Sequence, residues 1–494
     1  MSLVYLITFI VYFLTVLTIA AVASRYTHDT EDFVLGGRRL GSWIVAFGAG
    51  ASDMSGWLLL GLPGTVYVFG IDQIWLPLGL ILGALVNWTT VAKRLRVYTK
   101  LAKNSLTIPS FFENRFHDKT GILRLVTSAA IITFFTFYVS SGFVSGAVLF
   151  QSTFHLSYYT ALFVGAAVII GYTCVGGFLA VNWIDLFQGC LMWLALMAVP
   201  AVTLFVLFHV HPNLIPLHSQ LIAAISHRSL GIIAIISLLA WGLGYFGQPH
   251  ILVRFMAAKE PNQLRRSTWI CMIWMTMSLM GAVLTGIVGR WYFSAQPLAN
   301  PESVFLSLAQ ELFNPWIAGV LLAAVLSAVM STIAAQLLAS SSSLAEDVYF
   351  RFFVKDKSAK QGLLTNRTAV LLIAAVALFF ARSPNSTVLA LVSYAWAGLG
   401  ASFGPLMLCS LFWSRTTRNG GIAGIVVGGL TVIIWKQLAF LGGIFGLYEI
   451  FPAFFFGLLA IIIVSLIDNP PPDSVIEEFR QFKAELRHGG EENP

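Results

Sequence analysis

The chain has 494 residues, of which 57% are hydrophobic and only 10% are charged. Soluble domains carry about 25% charged residues, so this composition and the mean hydropathy of +0.82 exclude a soluble enzyme, a disordered chain and a disulfide scaffold. The net charge of +7 would suit a nucleic-acid-binding protein, but the positions of the basic residues favour a membrane protein. The four cysteines lie in apolar segments without a CxxC pair, which predicts buried, reduced thiols.

Apolar runs of about 20 residues recur along the chain, and each can cross a hydrocarbon core of about 30 Å as a helix. They predict an all-α polytopic membrane protein, because the strands of a β-barrel would alternate with period two. The thirteen runs are residues 3–24, 41–69, 71–92, 122–152, 157–177, 181–208, 231–253, 268–293, 305–343, 367–382, 386–412, 419–440 and 447–467. The first run has no basic residue before it, unlike a cleaved signal peptide, so we expect a true span with the N-terminus outside.

The positions of Lys and Arg support thirteen crossings. With that count, 25 of the 29 basic residues fall on one side of the membrane, and the other side receives Arg228, Arg290, Arg382 and Lys436. Cytoplasmic loops carry the excess of basic residues, so the crowded side is predicted to be cytoplasmic and to hold the C-terminus. This distribution explains the net charge without a nucleic-acid partner.

The second run, 41–69, has a small polar centre at residues 48–56 that contains Asp53. Asp53 lies about 18 Å along a helix from the start of the run, close to the bilayer midplane. A carboxylate there costs at least about 2.5 kcal/mol on insertion scales. A hydrated Asp53 in an interfacial loop is the alternative, but the basic segments on both sides require two crossings between them. We therefore predict a broken spanning helix with a functional polar centre.

The seventh run, 231–253, is also interrupted, because residues 241–250 contain three glycines and a proline. Such a sequence unwinds a helix, and exposed backbone is tolerated in a membrane only in a cavity or buried in protein. Trp241 and Tyr245 share a face; alone they indicate packing, but beside unwound backbone they favour ligand binding. Five crossings separate the two interrupted runs, so repeats starting at them would be inverted, and paired interruptions point to a transporter binding site.

The ninth run carries hydroxyl side chains at Ser331 and Thr332. Helical Ser and Thr usually bond back to a carbonyl of their own helix. A Na⁺ ion stripped of water, however, needs several oxygen ligands. Carbonyls freed by the break near Ala51 and Met54, together with these two hydroxyls, would suit a hard monovalent cation, whereas the thiolate and imidazole ligands of softer metals are absent from these stretches.

In these stretches the chain resembles the sodium/solute symporter family. The matching stretches are LGGR at 35–38, GASDMSGWLLLGLPG at 50–64, GGFLAVNWIDLFQ at 176–188, WGLGYFGQPHILVRFMAA at 241–258, FNPWIAG at 313–319, AVMST at 328–332 and VSYAWAGLGASFGP at 392–405. The resemblance covers nearly the whole chain. It implies a LeuT-type core of two inverted five-helix repeats, with one helix before the core and two helices after it.

This organisation divides the chain into six segments. They are a first transmembrane helix with a cytoplasmic loop (1–40), inverted repeat 1 (41–208), an extracellular loop (209–230), inverted repeat 2 (231–412), the last two transmembrane helices (413–467) and a cytoplasmic tail (468–494).

The resemblance also implies the residues of a Na⁺ site. The family's site falls on the backbone carbonyls of Ala51, Met54 and Ala328 and on the hydroxyls of Ser331 and Thr332. Asp53 matches the acidic residue required for sodium-dependent transport, and we expect it to order the broken helix rather than to bind the ion in every state.

A substrate pocket and two coupling positions are implied in the same way. The pocket falls on Ser55, Gly56, Tyr138, Trp241, Tyr245 and Pro249. Arg38 matches an arginine linked to coupling and gating, and Asp185 matches an acidic residue that some relatives use for a second sodium.

The function that the resemblance implies is Na⁺-coupled import of L-proline by alternating access across a bacterial cytoplasmic (inner) membrane. One Na⁺ and one proline are expected near the midplane, with membrane lipid around the protein and no nucleic acid or obligatory protein partner. The alternative is a family member for pantothenate, a sugar or another amino acid, which the match at 241–250 disfavours. An intramembrane enzyme lacks support, because the sequence has no HExxH motif, and only coupled accumulation distinguishes a symporter from a channel.

Overall fold

The computed structural model describes residues 2–26, 30–214, 230–354, 359–382 and 387–488. In these ranges the extended elements are limited to an isolated parallel bridge between Leu40 and Ala258, and the regular structure is otherwise helical. Most of the predicted extracellular loop at 209–230 lies outside the described residues.

We number the main helices in chain order. They are α1 (Ser2–Ser24), α2 (Ser42–Asp53), α3 (Trp57–Phe69), α4 (Ile71–Leu101), α5 (Ile108–Arg115), α6 (Ile122–Phe154), α7 (Tyr158–His209), α8 (Ile232–Gly247), α9 (Pro249–Met256), α10 (Leu264–Tyr292), α11 (Val304–Leu312), α12 (Pro315–Phe353), α13 (Ala359–Phe380), α14 (Val388–Phe412), α15 (Arg418–Leu438), α16 (Ile450–Ile467) and α17 (Asp473–His488).

The prediction of an all-helical membrane protein is confirmed. Among the described residues, ten helices are long and apolar enough to cross a membrane, or up to twelve if each of two bent pairs counts as one span. The bent pairs are α2 with α3, at 61°, and α8 with α9, at 45°. Helix α7 covers two predicted runs and bends at Gly177, whose φ is 64°, and its first part, Tyr158–Gly171, is shorter than the ten spans. The count of thirteen therefore stays a prediction.

The predicted ninth run begins too early. The structure divides residues 305–343 into α11 and α12, because the chain turns at Asn314-Pro315. The Asn314 side chain accepts from the backbone N–H groups of Trp316 and Ile317, both at 3.1 Å. An Asn cap followed by proline at the first helical position is a strong start signal, so α12 is a new helix.

The polar C-terminal tail contains a helix that the sequence analysis did not predict. Helix α17 buries Val475, Phe479 and Phe482, and the Phe482 ring stacks on that of Tyr98 with centroids 4.2 Å apart. The tail therefore packs against the end of α4.

Burial distinguishes central from peripheral helices. In α12 and α14, 89% of the most apolar 18-residue stretch is buried inside the protein, whereas the buried share of the corresponding stretch is 28% in α1 and 22% in α15. Helix α4 crosses α8 closely through Gly79 and Gly83, where an added Cβ would clash with the backbone of Leu239 and Gly242. Small residues four apart allow such an approach between membrane helices, and this contact positions the break in α8 against α4.

Replacing Gly83 by Val should therefore destabilise the protein, since the new side chain would force α4 away from Gly242. Overpacking of this kind costs about 1–3 kcal/mol. We expect a lower midpoint of thermal unfolding in detergent. Gly171→Val is the matched control, because nothing lies within 4 Å of an added Cβ there; equal midpoints for the two variants would contradict the close crossing.

Candidate functional site

The first break lies between α2 and α3. Helix α2 ends at Asp53, and Met54 leaves the helical region with φ −85° and ψ 82°. The N–H of Ser55 then bonds to the Asp53 carbonyl at 3.1 Å, so it does not reach back four residues to Ala51. The Ala51 carbonyl is thereby freed from its helix, as at any helix end, although it is fully buried.

Four of the five predicted cation ligands meet at this break. The Ser331 hydroxyl of α12 donates to the Ala51 carbonyl at 2.8 Å. The Ala328 carbonyl accepts from Ser331 at 3.2 Å and from Thr332 at 3.1 Å. Met54, the fifth predicted residue, is buried at the adjoining turn. These neutral carbonyl and hydroxyl oxygens fit a hard cation rather than a soft metal ion.

Asp53 connects the first break to the second. Its Oδ2 accepts a hydrogen bond of 2.5 Å from the Tyr245 hydroxyl of α8, and Asp53 is only 2% exposed. Oδ1 has no hydrogen-bond partner among the described residues. A buried carboxylate is costly unless it is hydrogen-bonded, so the contact with Tyr245 stabilises Asp53 and ties the two broken helices together.

The second break separates α8 from α9. The last turns of α8 are a 3₁₀ helix, Gln248 is extended with φ −90° and ψ 105°, and α9 starts at Pro249. Aromatic residues stabilise this break: Trp396 of α14 donates through Nε1 to the Trp241 carbonyl at 2.8 Å. The Tyr245 ring meets Trp396 edge-on at 5.1 Å.

The predicted pocket residues do not all share one surface. Trp241 and Tyr245 lie beside the breaks as described, and Tyr138 is buried on α6, close enough to Asp53 for an electrostatic interaction. Gly56 instead marks a helix contact, because a Cβ there would lie 2.6 Å from both Cβ and Oγ of Ser145.

Pro249 and the aromatic residues line different cavities. Pro249 borders a cavity of about 30 Å³ together with Arg254 and Ser342. Trp241 borders a cavity of about 490 Å³ that also contacts Glu302 and Tyr448. The larger space is ample for a small amino acid, and it lies at the ends of α3, α8 and α14 that are opposite Arg38.

Arg38 lies at the other end of α2, just before the helix begins, and is only 8% exposed. Its guanidinium bonds four groups from two parts of the fold. The acceptors are Met256 O (2.6 Å), Asn104 Oδ1 (2.9 Å), Ser105 O (3.0 Å) and Thr99 Oγ1 (3.3 Å). Arg38 thus connects the end of α9 to the segment that follows α4.

The same end of the molecule is closed by backbone contacts. The N–H of Leu40 donates to the Ala257 carbonyl at 3.3 Å, and the Leu40 carbonyl accepts from Lys259 at 3.0 Å. Burial, together with the charge of Arg96, lowers the pKa of Arg38 to about 10. Arg38 therefore stays charged at neutral pH, and the two broken helices are tied at their basic ends.

Asp185, the second predicted coupling residue, forms an ion pair that the sequence analysis did not predict. Its Oδ2 accepts from Arg254 Nη2 at 3.0 Å, and both side chains are at most 1% exposed. Arg254 also donates to the His250 carbonyl. The pair connects α7 to α9, so an arginine already supplies a positive charge to this carboxylate.

Several site residues were missed by sequence reasoning, although some carried a signal. Trp57 donates through Nε1 to the Asp53 carbonyl at 3.3 Å, and Trp57, Arg254 and Trp396 all lie within stretches that carry the family resemblance. Tyr448, whose ring lies 5.2 Å from that of Trp241, had no such signal, because it lies in the connector between α15 and α16.

The Asp185–Arg254 pair predicts how single and double substitutions at these two positions change the stability of the protein. Removing one member of a buried ion pair costs about 3–5 kcal/mol, because the other charge stays buried without compensation. We expect Asp185→Asn and Arg254→Gln each to lower the thermal unfolding midpoint in detergent, and the double variant to lose less than the sum. Additive losses would contradict a direct interaction.

Comparison with protein families places the sequence among transporters. The model of the "Sodium:solute symporter family" matches residues 33–428. The chain is 48% identical over 486 residues to the "Sodium/proline symporter" of Escherichia coli (strain K12), which covers 97% of this chain and 96% of that protein. It is 47% identical over 479 residues to the "High-affinity proline transporter PutP" of Bacillus subtilis (strain 168), with 94% and 99% covered.

Solved structures share the fold. A Na⁺-coupled sialic acid symporter in a substrate-bound outward-open state superimposes with a TM-score of 0.79 at 17% identity, covering 95% of this chain and 99% of that one. Mhp1, a nucleobase-cation-symport-1 family transporter in a closed conformation, gives a TM-score of 0.56 at 12% identity, with 92% and 99% covered. The family model and the near-full-length relatives confirm the predicted resemblance to the symporter family, and these structures support the helical transporter fold.

Proposed function

Because the chain belongs to the sodium:solute symporter family, we propose that it is a symporter that imports L-proline together with Na⁺. The relatives with the names quoted above match almost its entire length. The observation that carries the proposal is the meeting of two broken helices at Asp53 and Tyr245, with a cluster of hard oxygens on one side and aromatic rings on the other. This arrangement supports neighbouring sites for a cation and a small organic solute inside a multi-pass membrane protein.

The proposed topology has thirteen crossings, with the N-terminus outside and the C-terminus inside a bacterial cytoplasmic membrane. This count is reached if the ten long helices, the two bent pairs and the short apolar helix Tyr158–Gly171 each cross the membrane once. The breaks then fall in the second and seventh crossings, which supports two inverted repeats of five helices. The distribution of basic residues supports the orientation.

The proposed Na⁺ site consists of the carbonyls of Ala51, Met54 and Ala328 and the hydroxyls of Ser331 and Thr332. Both hydroxyls now donate to carbonyls of this set. On binding Na⁺ they would turn their protons away and present lone pairs to the ion. The ion would therefore replace the Ser331–Ala51 bond, which already holds α12 against the first break, and the Thr332–Ala328 bond within α12, which limits the rearrangement needed.

The proposed proline pocket lies beside this site. Proline is a zwitterion with an apolar ring, so it requires no full counter-charge from the protein. The N-terminus of α3, near Ser55 and Gly56, can meet a carboxylate. Trp241, Tyr245 and Tyr138 can cover the ring and attract the ammonium group. Pro249 contributes through the shape of the second break rather than through the larger cavity.

Coupling follows from the contact between the breaks. Na⁺ bound at Ala51 would fix the end of α2 and thereby Asp53, whose carboxylate orients Tyr245 in the pocket. By linkage, proline that orders Tyr245 would strengthen Na⁺ binding by the same factor. Arg38 and the Asp185–Arg254 pair hold the basic ends of these helices, and we propose that they part when the inner side opens.

One ion is sufficient to drive accumulation. A charge moving inward gains about 2.3 kcal/mol per 100 mV, and a tenfold sodium gradient adds about 1.4 kcal/mol. The sum of about 3.7 kcal/mol supports roughly 400-fold accumulation by the same conversion. The buried Arg254 at Asp185 agrees with a single Na⁺ per cycle.

Uptake by the purified protein in liposomes tests the function. Labelled proline, pantothenate, a sugar and a second amino acid should be offered with and without an inward sodium gradient. We expect uphill uptake of proline alone that collapses with the gradient. Equal uptake without sodium would indicate a channel, and preference for another solute would indicate a different member of the family.

Replacing Asp53 by Asn should reduce sodium-driven uptake about 5- to 150-fold, the range of typical coupling energies, because the neutral amide no longer attracts the cation and holds Tyr245 less firmly. Initial rates at several sodium concentrations check this expectation. Asp72→Asn is the control, since Asp72 is a carboxylate at the start of α4 that does not border the cavity beside Trp241. Normal uptake by Asp53→Asn at low sodium would refute the role of Asp53.

Two other variants should separate the ion from the solute. Ser331→Ala combined with Thr332→Ala removes two proposed ligands, so the sodium concentration for half-maximal uptake should rise at least about tenfold. Trp241→Ala removes an aromatic wall, so the Kd of proline at saturating sodium should rise about three- to tenfold. If each variant changes the sodium concentration for half-maximal uptake and the Kd of proline equally, the proposed separation into a sodium site and a proline site is wrong.

A further inference from the structure

Tyr448 lies outside the ten helices of the proposed core. It belongs to the connector at residues 439–449, which joins α15 to α16. Two glycines with positive φ, Gly442 at 67° and Gly443 at 58°, turn the chain there. Trp435 then donates through Nε1 to the Leu447 carbonyl at 3.1 Å, so the residue before Tyr448 is held in place.

Tyr448 contacts two helices that border the 490 Å³ cavity. Its backbone N–H donates to Ser237 Oγ of α8 at 2.9 Å. Its hydroxyl donates to the Ser393 carbonyl of α14 at 2.5 Å. Tyr448 therefore bridges the broken helix α8, through its backbone N–H, and helix α14, through its hydroxyl.

The ring of Tyr448 also sets the environment of Trp241. The two ring centroids lie 5.2 Å apart with an interplanar angle of 30°, and the Trp241 ring centroid also lies 6.5 Å from that of Trp57. Trp241 is 6% exposed. Aromatic pairs at such distances attract one another, so Tyr448 restricts the orientation of Trp241.

We infer that Tyr448 is a positioning residue for Trp241 and a latch at the outer end of the solute path. Opening the cavity further requires α8 and α14 to separate, which breaks the bond from Tyr448 to Ser393 or moves its ring from Trp241. The last two helices thereby regulate how a small amino acid enters and leaves from the outside. This inference rests on the proposed function.

The test compares Tyr448→Phe with Phe440→Leu in liposomes with an inward sodium gradient. Tyr448→Phe keeps the ring but removes the hydroxyl, whereas Phe440 is a control in the same connector with 81% exposure. Loss of one hydrogen bond should raise the KM of proline about three- to tenfold, with the maximal rate per protein changed less. A purely structural role would lower the rate and leave KM unchanged.

The outcomes separate the two proposals. If the wild-type protein takes up no proline, the proposed function fails and the inference fails with it. If the wild-type protein transports proline but Tyr448→Phe has the KM of Phe440→Leu, only the inference fails. Should Tyr448→Phe not fold, Ser237→Ala removes the acceptor of the Tyr448 N–H, and an unchanged KM in that variant would overturn the inference.

Discussion

The hydrogen bond from Tyr245 to Asp53 joins two helices at the points where both are broken. A buried carboxylate needs such a donor, and a freed backbone inside a membrane needs partners. Tyr245, beside the second break, therefore supplies the hydrogen-bond donor that the buried carboxylate at the first break needs. The proposed cation and solute sites follow from this constraint, because they use the groups that the breaks leave close together.

The two ends of the broken helices are held differently. At the basic end, Arg38 and the contact between Leu40 and Ala258 close the protein through hydrogen bonds and a backbone bridge. At the opposite end, a cavity of about 490 Å³ reaches Trp241. There Tyr448, from the connector between α15 and α16, bridges α8 and α14. An asymmetry of this kind is what alternating access requires, since one end opens while the other stays closed.

Much of the site could be predicted because its chemistry leaves local signals. A carboxylate at mid-membrane depth marks Asp53, and glycines with a proline mark the second break. Hydroxyls on an apolar helix mark Ser331, which does meet the Ala51 carbonyl. The resemblance assigns Gly56 and Pro249 to the pocket, and this assignment stays a prediction. The structure adds what the sequence could not show, that Gly56 packs against Ser145 and that Pro249 borders a separate small cavity, because side-chain surroundings depend on neighbouring helices.

The sequence by itself determined that the chain is helical and spans a membrane, where its two interruptions lie and to which family it belongs, since hydropathy, helix-breaking residues and long matching stretches are properties of neighbouring positions along the chain. Only the tertiary structure decided which distant groups meet: Arg254 with Asp185, Trp396 with the Trp241 carbonyl, and Tyr448 with Trp241. These contacts depend on how helices cross and turn relative to one another. That geometry is set by packing over the whole protein, and no local pattern encodes it.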